Sequence, residues 1–155
     1  MATPKKRKDG LAGPPYVGAL LRLSWLRTRT HIYDAVRAHG FDDLQDAHFA
    51  VFSYPPPEGV RLSELARQAR MSRQATNYLV GQLEELGYLE RRAKAGSERR
   101  LIYLTARGKK VVTVIHAALR ALQEQWAHEV GSDRFADFMD LLRHFSTEQP
   151  PISTL

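Results

Sequence analysis

Residues 62–92 read LSELARQARMSRQATNYLVGQLEELGYLERR, and the fold of the chain follows from them. The first part predicts a short helix that opens with Ser63 as its N-cap. After a break of a few residues, Ser72 is the predicted N-cap of a second helix, whose apolar residues repeat every three or four positions. Gly87 ends that helix, because glycine tolerates the left-handed backbone that follows many C-caps. Two helices joined by so short a turn predict a helix-turn-helix.

A β-hairpin is predicted directly after the second helix. Residues 88–94 and 99–105 have strand character, and residues 95–97, which read Ala-Gly-Ser, suit the connecting turn. In the second strand, Leu101 and Tyr103 alternate with their neighbours, as in a strand that faces two environments. The hairpin therefore forms a wing beside the helix-turn-helix.

Helices are predicted on both sides of this block. The pattern of apolar residues, the triple proline and the capping residues set their limits. The predicted flanking helices are 16–39, 44–52, 105–129, capped by Thr105, and 132–145, capped by Ser132 or Asp133. The fold class is therefore mainly α with a small β-hairpin wing.

The positive charge of the chain is concentrated in the middle. The 155 residues carry a net charge of +6, yet residues 61–110 alone hold twelve Lys and Arg against five Asp and Glu, a net +7. Residues 1–10 add a net +3, largely from Lys5–Lys8, and residues 11–60 and 111–155 are slightly acidic. A basic patch on a helix-turn-helix indicates a polyanionic partner, above all DNA.

Several classes of function are excluded or disfavoured. The chain has no cysteine, which removes disulfides, thiolate catalysis and thiol-based redox sensing. No stretch approaches ~18 uninterrupted apolar residues, and no secretory signal is recognisable, so a cytoplasmic protein without a membrane partner is expected. No catalytic motif is found, and neither an enzyme nor a cofactor is expected. Asp137, Asp140 and His144 share one helical stripe, but a solvated surface explains them better than a metal site.

The start of the second helix and the wing carry the predicted DNA contacts. With the apolar face turned inward, the side chains of Arg73, Gln74, Thr76 and Asn77 are predicted to face outward, where they suit base edges in the major groove. The free N–H groups in the first turn of this helix, which begins after Ser72, favour the binding of a phosphate. The wing cations, which suit the phosphate backbone or the minor groove, are Arg91, Arg92, Lys94, Arg99 and Arg100.

The chain resembles the MarR family of bacterial regulators. The resemblance is carried by LSELA at 62–66, SRQAT at 72–76, LEELGYLERR at 83–92 and LTARG at 104–108. It implies an obligate homodimer that binds a pseudo-palindromic operator in double-stranded DNA, and repression that a small aromatic or anionic ligand relieves. It also implies one domain over 16–148, between a disordered basic arm at 1–15 and a tail at 149–155. Within it, 16–40 and 105–146 would be dimerisation helices and 44–104 the winged helix-turn-helix.

The sequence departs from the family pattern at two places. Glu98-Arg99-Arg100 stands where members usually carry Asp-x-Arg. The segment from Arg92 to Leu104 is also about one residue shorter than usual in the family, so the pairing of residues across the wing stays open. Arg70 stands where many helix-turn-helix motifs have glycine, and a positive φ there would cost on the order of 1 kcal/mol.

A ligand cleft is the less specific part of the resemblance. The family places its cleft near helices that here carry aromatic, Arg and His side chains, which would suit a phenolate or carboxylate. For any one of these residues, ordinary packing of an amphipathic side chain at a dimer interface is the better explanation. The candidate ligand residues are Trp25, Arg27, His31, His48, Tyr54 and His116.

Two alternatives to a ligand-relieved repressor remain. One is an architectural, nucleoid-associated winged-helix protein that binds DNA without an operator or a ligand, which the Lys5–Lys8 arm favours slightly. The other is a protein-interaction module that uses the winged helix as a scaffold, which the +7 segment disfavours.

Overall fold

The computed structural model of the chain describes residues 13–52 and 55–147. The predicted basic arm at 1–15 and the tail at 149–155 therefore lie almost wholly outside the described residues. The helices are α1 (Val17–Ala38), α2 (Phe49–Phe52), α3 (Leu62–Gln68), α4 (Arg73–Glu85), α5 (Ala106–Val130) and α6 (Ser132–Ser146), and the strands are β1 (Leu89–Ala93) and β2 (Arg100–Leu104). This mainly α fold with one hairpin confirms the predicted fold class. No described helix is long and apolar enough to cross a membrane.

The core lies where the C-terminal half of α1 meets α2, α4, the hairpin and the first half of α5. Phe52 and Tyr88 are its largest fully buried side chains. Their rings meet edge to face, with centroids 5.6 Å apart, a favourable arrangement for two aromatic side chains. This core joins the helix-turn-helix to the long helices, so a displacement of the long helices would also shift the helix-turn-helix.

The hairpin is widened by one residue from the loop before α3. Val60 and Ile102 exchange two backbone hydrogen bonds of 3.0 and 2.8 Å, which places β2 between Val60 and β1. Leu101, Ile102 and Tyr103 are all buried. The prediction that β2 alternates between two environments was wrong for these three residues, because both faces of the strand are covered. The Tyr103 ring lies under Arg92 and against Gly59, and Ile102 packs in the core.

Three helix starts differ from the predictions. Helix α3 begins at Leu62, which packs against the core, so Arg61 and not Ser63 occupies the N-cap. Helix α6 follows Gly131, whose φ of 93° makes the break from α5 and leaves Ser132 inside the helix. Residues 44–52 form a 3-10 turn (Asp46–His48) and then α2, instead of one continuous helix.

The start of α5 is packed tightly against the end of α4. The Thr105 hydroxyl accepts a hydrogen bond from the N–H of Gly108 (3.1 Å), which confirms it as the N-cap, and donates to the carbonyl of Gly87 (2.7 Å). A Cβ at Gly108 would lie 2.2 Å from the carbonyl oxygen of Tyr88. Only glycine permits this approach, which sets the angle between α5 and the wing.

Candidate nucleic-acid interface

The turn between α3 and α4 is closed by a Schellman motif. The N–H of Met71 donates to the carbonyl of Ala66 (3.0 Å), and the N–H of Arg70 donates to the carbonyl of Arg67 (3.2 Å). Arg70, which stands where many helix-turn-helix motifs have glycine, occupies the left-handed position with a φ of 52°. A side chain other than glycine, Asn or Asp is strained there by about 1–2 kcal/mol.

The exposed face of α4 agrees with the prediction at three of four base-reading positions. Ser72 is the N-cap, and its hydroxyl accepts from the N–H of Ala75 (3.1 Å). The side chains of Arg73, Gln74 and Asn77 are exposed as predicted; whether they read bases stays a prediction.

The outward position predicted for Thr76 was wrong. Its side chain is fully buried, and its hydroxyl donates to the carbonyl of Ser72 (2.9 Å). Helical spacing places it on the inward face with Leu79, Val80 and Leu83, so it does not face the groove.

Tyr78 is an exposed residue of α4 that the sequence analysis missed. Its side chain is 66% exposed, one helical turn beyond Gln74 and therefore on the same face. Its hydroxyl accepts a hydrogen bond from Nε2 of Gln82 (3.0 Å), which leaves the phenolic hydrogen free to donate outward. The spacing from Gln74 was the signal that could have identified it.

His48 anchors this tyrosine to the core. Nδ1 of His48 accepts from the backbone N–H of Gln45 (3.0 Å), so Nε2 is left to donate to Oε1 of Gln82 (3.1 Å). Since His48 is buried and both ring nitrogens are occupied, its predicted role in ligand binding is not supported. It instead connects the 3-10 turn to Gln82 and Tyr78 on α4.

Arg91 of β1 is turned toward α4. Its Nη2 donates to Oδ1 of Asn77 (2.8 Å), and its Nη1 lies 3.4 Å from Oε2 of Glu84. The predicted wing contact to DNA thus has two protein partners.

The other wing cations face solvent. Arg92 lies over the ring of Tyr103, 4.0 Å from its centroid, and 3.5 Å from the Glu90 carboxylate. The side chains of Lys94, Arg99 and Arg100 are exposed, with no acidic partner at ion-pair distance within residues 13–52 and 55–147. Lys94, Arg99 and Arg100 can therefore approach a polyphosphate backbone without first breaking a salt bridge.

The structure also gives the register of the two wing strands: Arg92 stands opposite Leu101, and Ala93 opposite Arg100.

Polar contacts of Asp43 connect the loop after α1 to Tyr88, at the start of the wing, and to Arg107 of α5. The hydroxyl of Tyr88 donates to Oδ1 of Asp43, and Arg107 donates to Oδ2 of the same carboxylate (2.8 Å) and lies 4.3 Å from the centre of the Tyr88 ring. Burial, together with the Asp43 carboxylate, raises the pKa of Tyr88 to about 12. The phenol is therefore a firmly protonated donor that ties the loop after α1 to the wing.

The structure does not bring the six candidate ligand residues together. Trp25 lines a cavity between α1, α2 and α5. Arg27 and His31 line a shallow pocket elsewhere on α1, and Arg27 also lies 6.0 Å from the ring centre of Trp126. His116 is exposed on α5 and lines neither of these pockets, and Tyr54 lies outside the described residues.

The Trp25 cavity is largely aromatic and apolar, with the Arg29–Asp46 ion pair at its wall. It has a volume of 530 Å³ and is walled by Trp25, Tyr33 and Phe49. Tyr33 and Phe49 meet edge to face at 4.6 Å, and the hydroxyl of Tyr33 is buried without a hydrogen-bond partner among the described residues. Arg29, which forms an ion pair with Asp46, supplies a cation at the same wall.

The floor of the cavity reaches the helix-turn-helix. Ile32 and Ile115 supply apolar surface from α1 and α5, and Ala69, the C-cap of α3, completes the lining. Ala69 is the residue before Arg70, so a molecule in the cavity would touch the turn that sets the direction of α4. Arg29 and Tyr33 were not predicted from the sequence.

The acidic stripe on α6 is exposed. Asp140 accepts a hydrogen bond from Arg143 (2.7 Å), and no cluster of three potential metal ligands occurs within the part of the chain that the structure describes.

Comparisons with known proteins agree with this geometry. Residues 43–100 match the model of the MarR family, and a search of curated proteins finds no match. The chain is similar to a solved MarR family protein of Mycobacterium tuberculosis in complex with salicylic acid, at 27% identity, with 88% of this chain and 100% of that chain covered and a TM-score of 0.62. It is also similar to the oxidized form of MarR from E. coli (18% identity, 87% and 97% covered, TM-score 0.69) and to S. aureus MepR bound to ethidium bromide (14% identity, 84% and 94% covered, TM-score 0.60).

The family match covers the helix-turn-helix and the first strand of the wing, and the structural likeness continues through the flanking helices. The segment that carries the helix-turn-helix thus matches the MarR family model, and the described chain has the fold of solved MarR family transcription regulators.

Proposed function

We propose that this protein is a homodimeric repressor of the bacterial cytoplasm that binds a pseudo-palindromic operator and is released by a small aromatic anion. The observation that carries the DNA-binding part is the contact of Arg91 in the wing with Asn77 on the exposed face of α4, which places the wing beside that face. Arg73 and Gln74 offer hydrogen-bonding groups suited to base edges, while Arg99 and its exposed neighbours offer charge suited to phosphates.

Exposed apolar side chains on α1 and α6 support the homodimer. Leu21 on α1 is 49% exposed, and Leu141 and Phe145 on α6 are 57% and 77% exposed. Apolar faces of this kind mark interaction surfaces, and a second copy of the same chain would cover both. A twofold axis would also present two α4 helices to successive turns of the major groove. Sedimentation equilibrium of the full chain, with a Leu141→Asp variant expected to be monomeric, tests this part.

The 530 Å³ cavity supports ligand relief. A flat aromatic ring would pack between Trp25 and Phe49, and its carboxylate would accept hydrogen bonds from Arg29. A small movement of the Tyr33 ring on binding would bring its hydroxyl, buried in the ligand-free protein, within reach of the same carboxylate. The Mycobacterium tuberculosis relative was solved with salicylic acid, which is an aromatic anion of this size and a suitable first probe here.

Selection of bound duplexes from a random pool tests the operator. The selected duplex should be preferred over unrelated DNA by ~10³ or more at physiological salt. Equal affinity for both would refute the repressor and favour an architectural protein. Salicylate should then weaken binding of the selected duplex, and a full chain that binds DNA equally with and without salicylate and related aromatic acids would refute ligand relief.

Two substitutions separate base reading from phosphate contact. Asn77→Ala should relax the preference among single-base variants of the selected duplex. Arg99→Ala should weaken every duplex and reduce the slope of log K against log salt by about 1. Arg120→Ala, which removes an exposed cation from the middle of α5, is the matched control and should change neither quantity. If Asn77→Ala and Arg99→Ala both bind like the wild type, the assignment of the interface is wrong.

A further inference from the structure

Arg91 is held between two side chains of α4. It donates to Oδ1 of Asn77 at 2.8 Å and lies 3.4 Å from Glu84. Asn77 and Glu84 are seven residues apart, which is two helical turns, so they lie on one face of α4. The side chains of Arg91 and Glu84 are each only 28% exposed.

We propose that Arg91 is a positioning residue that orients Asn77 for base reading, and is not itself a phosphate contact. This inference rests on the proposed function of α4 in reading an operator. It also specifies how Asn77 would contact a base. The partner of the carboxamide oxygen determines where the amide NH2 group points, and so which hydrogen-bonding group faces the DNA.

The chemistry of Arg91 fixes the orientation of the Asn77 amide. A guanidinium only donates hydrogen bonds, so the group that faces it must be the carboxamide oxygen. The Nδ2 amine of Asn77 therefore points away from the wing and toward the exposed side of α4. In a major groove, a donor in that position suits the acceptors of guanine, thymine or adenine N7 and opposes the amino group of cytosine.

The electrostatics of Arg91 argue against a role in neutralising phosphate. Its charge is opposed by the Glu84 carboxylate, whereas exposed Arg99 has no acidic group at ion-pair distance within the described residues. Moving Arg91 onto the backbone would leave Glu84 uncompensated beside a polyanion. Arg91 should therefore contribute little to the counterion release that governs salt dependence.

The test uses the full-length protein, the duplex selected by the wild type and its single-base variants, at several salt concentrations. Arg91→Met keeps the length of the side chain and removes its donors. It should reduce discrimination about tenfold at the base pair that Asn77→Ala affects, with no change in the salt slope. Arg99→Met should do the opposite, with unchanged discrimination and a slope smaller by about 1.

Two further variants separate positioning from a general structural role. The double variant Asn77→Ala/Arg91→Met should discriminate no worse at that base pair than Asn77→Ala alone, because Arg91 acts there only through Asn77. Arg91→Lys keeps the charge but has no fork to bridge two acceptors, so it should lose part of the discrimination and keep the salt slope. It also serves as the test variant if Arg91→Met unfolds.

Three results would overturn the inference. A lower salt slope with intact discrimination for Arg91→Met would make Arg91 a phosphate contact. Additive losses in the double variant would mean that Arg91 acts independently of Asn77. A wild-type protein without any sequence preference would remove the proposed function first, and this role of Arg91 with it.

Discussion

The unpartnered hydroxyl of Tyr33 leads to a prediction with opposite signs for stability and for ligand affinity. Tyr33→Phe removes only that oxygen and keeps the ring that packs on Phe49 at 4.6 Å. The oxygen is buried and has no hydrogen-bond partner among residues 13–52 and 55–147. A polar group in this state costs the folded protein about 1–3 kcal/mol of desolvation.

Tyr33→Phe should therefore stabilise the ligand-free protein, by about 1–2 kcal/mol in the free energy of unfolding. Most substitutions destabilise by about 1 kcal/mol, so the sign alone is informative. Affinity for salicylate should fall about tenfold or more, because a hydrogen bond to a charged group contributes about 1.5–3 kcal/mol.

Urea unfolding and calorimetric titration with salicylate measure the two effects. Tyr78→Phe is the matched control: its hydroxyl is hydrogen-bonded to Gln82 on an exposed face, so the substitution should neither stabilise the protein nor change salicylate binding. A destabilised Tyr33→Phe would show that the hydroxyl is satisfied in solution, and the cavity would lose its polar anchor. A stabilised variant with wild-type affinity would show that the ligand does not use the hydroxyl.

Three further predictions concern the scaffold. Arg70→Gly should be about 1 kcal/mol more stable than Arg70→Ala, since both remove the side chain and only alanine is strained at a φ of 52°; the reverse order in urea unfolding would refute a left-handed turn. Gly108→Ala should destabilise the protein by about 2 kcal/mol or more, because the added Cβ would lie 2.2 Å from the Tyr88 carbonyl oxygen. Gly81→Ala in α4 is the control: no atom lies within 4 Å of its added Cβ, so it should stabilise the protein by up to about 1 kcal/mol. Because the folded pKa of Tyr88 is raised from 10.0 to about 12, the stability it adds is full below pH 10 and is lost as the pH rises toward 12. Unfolding free energies at about pH 9 and about pH 11.5 should show about 2 kcal/mol more loss in the wild type than in Tyr88→Phe.

The order of elements was predictable from the sequence because each depends on local signals. Ser72 and Thr105 cap their helices through bonds to residues three positions on. The strain at Arg70 was predictable for the same reason, since a Schellman turn needs one left-handed residue at a set distance from the helix.

The errors at the interface have local physical causes. Thr76 was assigned to the groove by its polarity, but its hydroxyl is satisfied by its own helix, which lets its methyl group join the apolar face. Arg91 was counted as a free wing cation, yet its partners come from α4, and a strand sequence alone does not show which way its arginines turn.

The lining of the Trp25 cavity was not predictable because its contacts join residues far apart in the sequence. Arg29 meets Asp46 across 17 positions, and Tyr33 becomes significant only through the lack of a partner for its hydroxyl. His48 illustrates the converse. Its residue type suggested a ligand contact, while its position three residues after Gln45 made it part of a capping arrangement.

The contacts at Arg29 also limit how ligand binding can be coupled to DNA release. To offset an operator preference of ~10³, a ligand must favour the released state by about 4 kcal/mol, or about 2 kcal/mol per protomer of a dimer. One charge-assisted hydrogen bond to Arg29 is of that size. The ligand's carboxylate would compete with Asp46 for Arg29, and Asp46 begins the 3-10 turn whose last residue, His48, bonds to Gln82 of α4. If this is the route, His48→Phe should keep salicylate binding and lose much of its effect on DNA affinity, whereas a variant that keeps both would show that the coupling does not pass through His48.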